Sequence, residues 1–126
     1  MTDLIHLLLV EDSSISFIDK CWLGDYNFRV DVVDDAHNAL DKLTSASYDI
    51  VIMDLGEATL RRPYDLAERV RELKPGCIVI GVTSGISIEE AEPYFDAVEM
   101  RLGKNIIKII EPVLQRYGFR VVQKER

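Results

Sequence analysis

Three stretches of this chain are almost continuously apolar: residues 4–10, 49–53 and 77–82. Each is short and bounded by polar or turn-forming residues, as expected of strands buried on both faces of a sheet. Residues 28–33, rich in valine, read as a further strand, and residues 97–100 as a weaker fifth. Between these runs the apolar positions recur at helical spacing. Ser13 or Ser14 can cap a first helix with Ile15, Ile18 and Trp22 on its inner face. Asp35 can cap a second, turning Ala36, Ala39, Leu40 and Leu43 inward. Pro63 suits the first turn of a third, with Leu66, Val70 and Leu73 as its stripe and Pro75-Gly76 as its stop. Ser87 and Glu90 are spaced as a capping box for a short fourth. Residues 105–117 form the fifth, with Ile106, Ile110, Val113 and Tyr117 aligned. Pro112 falls on its other side, where the missing donor requires only a mild bend. Gly118 can end this helix, and residues 119–126 read as a C-terminal tail.

Five strands alternating with five helices predict one α/β domain, residues 1–118, with a parallel sheet covered on both faces. A length of 126 residues leaves little room for a second domain. With 48% hydrophobic and 29% charged residues, the chain can build a core and stay soluble. Its 15 basic and 22 acidic residues give a net charge of −7, which argues against binding to nucleic acid or an anionic membrane. The apolar runs are too short to span a bilayer, and no signal-peptide pattern opens the chain. Cys21 and Cys77 have no metal-ligand spacing, and Cys77 reads as a buried thiol. A reduced, cytoplasmic protein is expected. His6, inside the first strand, reads as a packed or edge histidine rather than a ligand.

In a doubly wound sheet, ligands lie outside the carboxyl ends of the strands, where strand order reverses. Those ends carry Glu11 and Asp12 after the first strand, Asp54 after the third, Thr83 after the fourth, and Arg101, with Lys104 beyond it, after the fifth. Carboxylates crowded in this way raise one another's pKa unless a cation compensates. Mg²⁺ is the natural ion, because it takes carboxylate and carbonyl oxygens and still accepts a phosphate oxygen. Asp54, ending the central strand, is the best-placed nucleophile for an aspartyl-phosphate. A metal, a basic side chain and backbone N–H groups would then balance charge on the phosphoryl oxygens.

Three segments in this order resemble the response-regulator receiver domains of two-component signalling: Leu8-Leu9-Val10-Glu11-Asp12-Ser13, Tyr48-Asp49-Ile50-Val51-Ile52-Met53-Asp54-Leu55, and Val79-Ile80-Gly81-Val82-Thr83-Ser84. The resemblance covers all but the tail. It implies a flavodoxin-like (βα)5 three-layer sandwich with strand order 2-1-3-4-5. It further implies Asp54 as phosphoacceptor, and Mg²⁺ held by Glu11, Asp12, Asp54 and the carbonyl of Gly56. Thr83 would be the hydroxyl that moves toward the phosphoryl group, with small Ser84 leaving it access. The implied partners are a histidine kinase or phosphotransfer protein and a downstream protein target, with no nucleic acid and no membrane. A monomer or weak homodimer is expected, and at most self-catalysed phosphotransfer and dephosphorylation.

The chain also departs from the receiver pattern. Glu57 stands in the place of a methionine, and Arg61-Arg62-Pro63 where a glycine is usual. Arg101 takes the place of the lysine after the fifth strand and Leu102 that of its proline, so a trans peptide is expected there. Lys104 is the alternative cation. Val98 stands where an aromatic switch residue is common. A pseudo-receiver, the same fold used as an interaction module with little or no phosphorylation, is therefore the alternative reading. A flavin or nucleotide binder of similar fold lacks the glycine-rich loop it would need after the first strand.

Overall fold

Side chains on a strand alternate between the two faces of its sheet, and here both faces are apolar, so each must be covered. The computed structural model describes residues 4–11, 13–55, 63–85 and 88–125, with the side chains of residues 13–15 and 63 excepted. Strands β1 (Ile5–Val10), β2 (Phe28–Val33), β3 (Ile50–Asp54), β4 (Ile78–Thr83) and β5 (Ala97–Met100) alternate with helices. The helices are α1 (Ser13–Gly24), α2 (Ala36–Ser45), α3 (Pro63–Leu73), α4 (Ile88–Ala91) and α5 (Ile106–Arg116). All strand pairs are parallel, in the order β2-β1-β3-β4-β5. This is the predicted flavodoxin-like topology.

Leu8, Val10, Val51, Met53 and Val79 project to one side, where Ala39 and Leu43 of α2 and Leu66 and Val70 of α3 cover them. Leu7, Leu9, Ile50, Ile52, Ile80 and Val82 project to the other, against Leu23 of α1 and Ile106, Ile110 and Val113 of α5. The register sets Val10 opposite Met53 and Asp54 opposite Val82, so the strand ends finish close together.

Local signals explain most element ends. Asp35 caps α2 by accepting the Asn38 N–H at 2.7 Å, and Asn105 caps α5 by accepting that of Lys108 at 3.1 Å. At the end of α5, Gly118 takes a φ of 87°. Its N–H donates to Gln115 O at 3.1 Å, while that of Phe119 donates to Leu114 O at 3.0 Å, a Schellman closure. Pro112 lies exposed on α5. Ser87 of the expected capping box lies outside the described residues. α4 is a single turn that passes into a 3₁₀ turn at Glu92–Tyr94.

Several expectations need correction. Helix α1 does not turn Ile18 and Trp22 inward. It buries Ser16, Asp19 and Leu23 and leaves Phe17, Ile18 and Trp22 exposed. Leu73, on the last turn of α3, and Tyr117, just past α5, are exposed as well. The C-terminal tail, whose order the sequence left open, runs with residues 119–124 along the turn between α1 and β2. Asn27 donates from its side chain to Arg120 O at 2.8 Å and accepts from Val122 N at 2.7 Å. Tyr26 and Gln123 form an antiparallel bridge, and Phe119 and Val121 pack against the core.

Candidate functional site

The carboxyl ends of β1, β3, β4 and β5 bring Glu11, Asp54, Thr83 and Arg101 toward one edge of the sheet. Glu11 follows β1 directly, and its N–H donates to Val33 O of β2 at 3.0 Å, which fixes the exit of the chain. Asp54 is the last residue of β3, and Leu55 donates to Val82 O at 2.8 Å. Gly81 leaves room for this turn: a Cβ there would lie 2.9 Å from Leu55 Cδ1 and 3.3 Å from Phe95 Cδ1. Thr83 ends β4, and its Oγ1 accepts the Gly85 N–H at 3.3 Å. Its carbonyl accepts the Arg101 N–H at 2.9 Å, so the backbones carrying these two residues are tied together.

The Arg101 guanidinium is the centre of the cluster. Nη1 donates to Asp19 Oδ1 at 3.2 Å and Nη2 to Asp19 Oδ2 at 3.0 Å, a two-point fork. Nη2 also donates to Glu11 Oε2 at 3.1 Å and stands 3.8 Å from Asp54 Oδ2. The three acids are buried and the Arg101 side chain is 18% exposed. Charges taken this far out of water are tolerable only when paired. Even so, Glu11 Oε1 and Arg101 Nε are buried with no hydrogen-bond partner among the described residues.

Burial, the largest cause, pushes the Glu11 carboxyl up to about 9. A hydrogen bond with Asp19 and the charge of Asp19 push the same way, and the nearby Arg101 charge only partly offsets them. Burial works to lower the Arg101 pKa, but the hydrogen bond and charge of Asp19, then the charges of Glu11 and Asp54, outweigh it and hold the guanidinium above its ordinary value.

Of the residues the sequence singles out, Glu11, Asp54 and Arg101 converge, with Thr83 on the neighbouring strand end. Lys104 does not join them among the described residues. It is exposed, and its N–H closes a turn onto Arg101 O at 2.9 Å. Asp12, Gly56, Glu57, Arg61 and Arg62 lie outside the described residues. The Arg101–Leu102 peptide is trans, and Leu102 takes a φ of 46°, so this junction has a shape of its own. Val98 is buried against the apolar cluster beside Phe95.

Asp19 is the member that sequence reasoning missed. It lies with Ser16 and Leu23 on the buried face of α1, and no motif in the sequence marked it.

Mg²⁺ is the ion the sequence points to at Glu11, Asp12, Asp54 and Gly56. The carboxylate chemistry suits it, but the described members do not fit a divalent ion alongside Arg101. The oxygens of Glu11 and Asp54 nearest the centre already face Nη2, which leaves Glu11 Oε1 as the buried oxygen without a partner among the described residues. Among the described residues no three His, Cys, Asp or Glu side chains are grouped so as to hold a metal ion.

Elsewhere His6 Nε2 lies 3.3 Å from Asp31 Oδ2, which also accepts the Tyr48 hydroxyl at 2.7 Å, so His6 is a satisfied strand residue. Cys77 is buried, and desolvation pushes its thiol up to about 12. No helix among the described residues is long and apolar enough to cross a membrane.

No family model and no curated protein matches the chain. Solved structures do. A CheY-like response regulator receiver domain protein from Methanospirillum hungatei superposes with a TM-score of 0.78 at 22% identity, over 92% of this chain and 95% of that one. The chemotaxis response regulator CheY4 of Vibrio cholerae gives 0.74 at 20% identity, over 91% and 98%. HP1043, an orphan response regulator of H. pylori, gives 0.73 at 16% identity, over 94% and 97%. The chain has the receiver-domain fold.

Proposed function

We propose that this chain is a signalling receiver that accepts a phosphoryl group on Asp54 from a histidine kinase or phosphotransfer protein. The observation that carries this reading is the buried Asp54 carboxylate at the end of the central strand, with the Arg101 guanidinium 3.8 Å away. An Asp54 oxygen attacks the phosphorus of the donor phosphohistidine. The P–O bond forms as the P–N bond breaks, and the imidazole leaves with the electron pair. Arg101 Nη2, on the Asp54 side of the guanidinium, would balance the charge that accumulates on the phosphoryl oxygens. Thr83, on the neighbouring strand end, is the hydroxyl to meet the new phosphoryl group. Water later hydrolyses the acyl phosphate. The Mg²⁺ implied by the receiver resemblance would stand beside Arg101 at Glu11 and Asp54, and none of these steps is routed through it.

The output is a change in binding to a downstream protein. The net charge of −7 supports a protein partner over nucleic acid or an anionic membrane, and a cytoplasmic setting suits the whole scheme. A second reading, an interaction module that is not phosphorylated, is favoured by the commitment of Arg101 to Asp19 and Glu11. Intact-protein mass spectrometry after incubation with a small phosphodonor, with and without Mg²⁺, separates the two. The first reading expects a gain of one phosphoryl group that disappears in Asp54→Asn. No gain under either condition overturns it in favour of the second, and a gain that survives Asp54→Asn overturns it by assigning the phosphoryl group to another residue.

A further inference from the structure

We propose that Asp19 is the positioning residue that makes Arg101 the resident cation of the acid pocket, so that a divalent ion enters only by displacing the guanidinium. Asp19 lies on α1, away from the strand ends, yet both its oxygens accept from Arg101, at 3.0 and 3.2 Å. That fork leaves one nitrogen, Nη2, directed at Glu11 Oε2 and Asp54 Oδ2 together. Without Asp19 the guanidinium would keep one hydrogen bond to Glu11 and a longer contact to Asp54, and its flexible stem would be free to swing toward solvent.

A divalent ion at Glu11 and Asp54 would need carboxylate oxygens at about 2.0–2.1 Å, and of these Glu11 Oε2 and Asp54 Oδ2 already face Nη2, while Glu11 Oε1 has no hydrogen-bond partner among the described residues. It would also stand a few ångströms from a fixed positive charge, which repels it. The pocket therefore holds one cation at a time, and Asp19 sets which one is favoured. This inference rests on the pocket being the receiver's acid site, but it involves no phosphoryl transfer and can fail separately.

The test is calorimetric titration of Mg²⁺ into the whole chain and three variants, each shown by circular dichroism and a cooperative heat transition to be folded. Asp19→Asn and Arg101→Gln are expected to bind Mg²⁺ on the order of tenfold more tightly than the wild type, a usual size for coupling between two ligands. Asp19→Glu restores the carboxylate and is expected to return toward wild-type affinity, which a merely structural role would not require. Equal affinity in wild type and Asp19→Asn overturns the proposal, as does absence of saturable binding in every chain. A measurement on the wild type alone guards against variants that do not fold. The Arg101 side-chain nuclear magnetic resonance signal should shift in step with Mg²⁺ occupancy, and saturable binding that leaves it unmoved overturns the proposal equally.

Discussion

Helices α1 and α5 cover the same face of the sheet by opposite means. In α5 the buried residues are Ile106, Ile107, Ile109, Ile110, Val113 and Leu114, and its polar residues face water. In α1 the buried side chains include Ser16 and Asp19, while Phe17, Ile18 and Trp22 are 72%, 58% and 43% exposed. Apolar burial orients α5. A buried ion contact, from Asp19 to an arginine 82 residues away, accompanies the reversed orientation of α1. The lesson is that apolar patterning predicts a helix face only when no buried charge pair overrides it.

The comparison breaks most visibly at its ionic end. Arg101→Ala takes from buried Asp19 the guanidinium it pairs with, and removing one partner of such a cluster costs about 3–5 kcal/mol. Urea unfolding should register that loss, and hydrogen exchange should show protection falling first in α1 while α5 keeps its own. Uniform loss across both helices would mean that Asp19 does not hold α1.

At the apolar end, Ile110→Ala should cost about 2–5 kcal/mol, the range for truncating a fully buried aliphatic side chain. Its exchange signature should be the reverse, with α5 losing protection alongside the strands it covers. A smaller, pH-dependent effect comes from Glu11. Its folded pKa of about 9 lies above its ordinary 4.5, so between those values the folded chain holds a proton that the unfolded chain releases. Stability contributed by this group is complete below the lower value and is lost as pH rises toward the upper one. The thermal midpoint should therefore fall from pH 5 to pH 9, and Glu11→Gln should flatten that slope. A slope unchanged in Glu11→Gln would assign the titration to another group.

The fold was legible because parallel strands buried on both faces announce themselves as short apolar runs, and β1, β3 and β4 do so. The stripe of α5 was equally plain, as were Asp35 and Gly118 at helix ends. At the site, Glu11, Asp54, Thr83 and Arg101 could be found from their places after the strands, and the resemblance put Arg101 in the lysine place. Asp19 could not. The α1 sequence offers two faces, Ile15-Ile18-Trp22 and Ser16-Asp19-Leu23, and hydropathy selects the first. The choice is reversed by a partner that no local window contains. The clasp of Asn27 on residues 120 and 122 was hidden for the same reason, since a side chain pairing with a distant backbone has no period.

The smallest expected effect is also the most discriminating for α1. If its apolar face belongs to solvent, Ile18→Gln should change stability by no more than about 0.5 kcal/mol, as exposed substitutions do. The same change at Ile110 would bury an amide in the core and should unfold the chain. Chemical denaturation of both variants at two protein concentrations makes the contrast quantitative. A negligible, concentration-independent change for Ile18→Gln supports a helix held from within by Asp19. A loss that grows with protein concentration would mean that a second copy covers Phe17, Ile18 and Trp22 in solution. The apparent inversion of α1 would then be hydrophobic burial of the ordinary kind, completed between chains instead of within one.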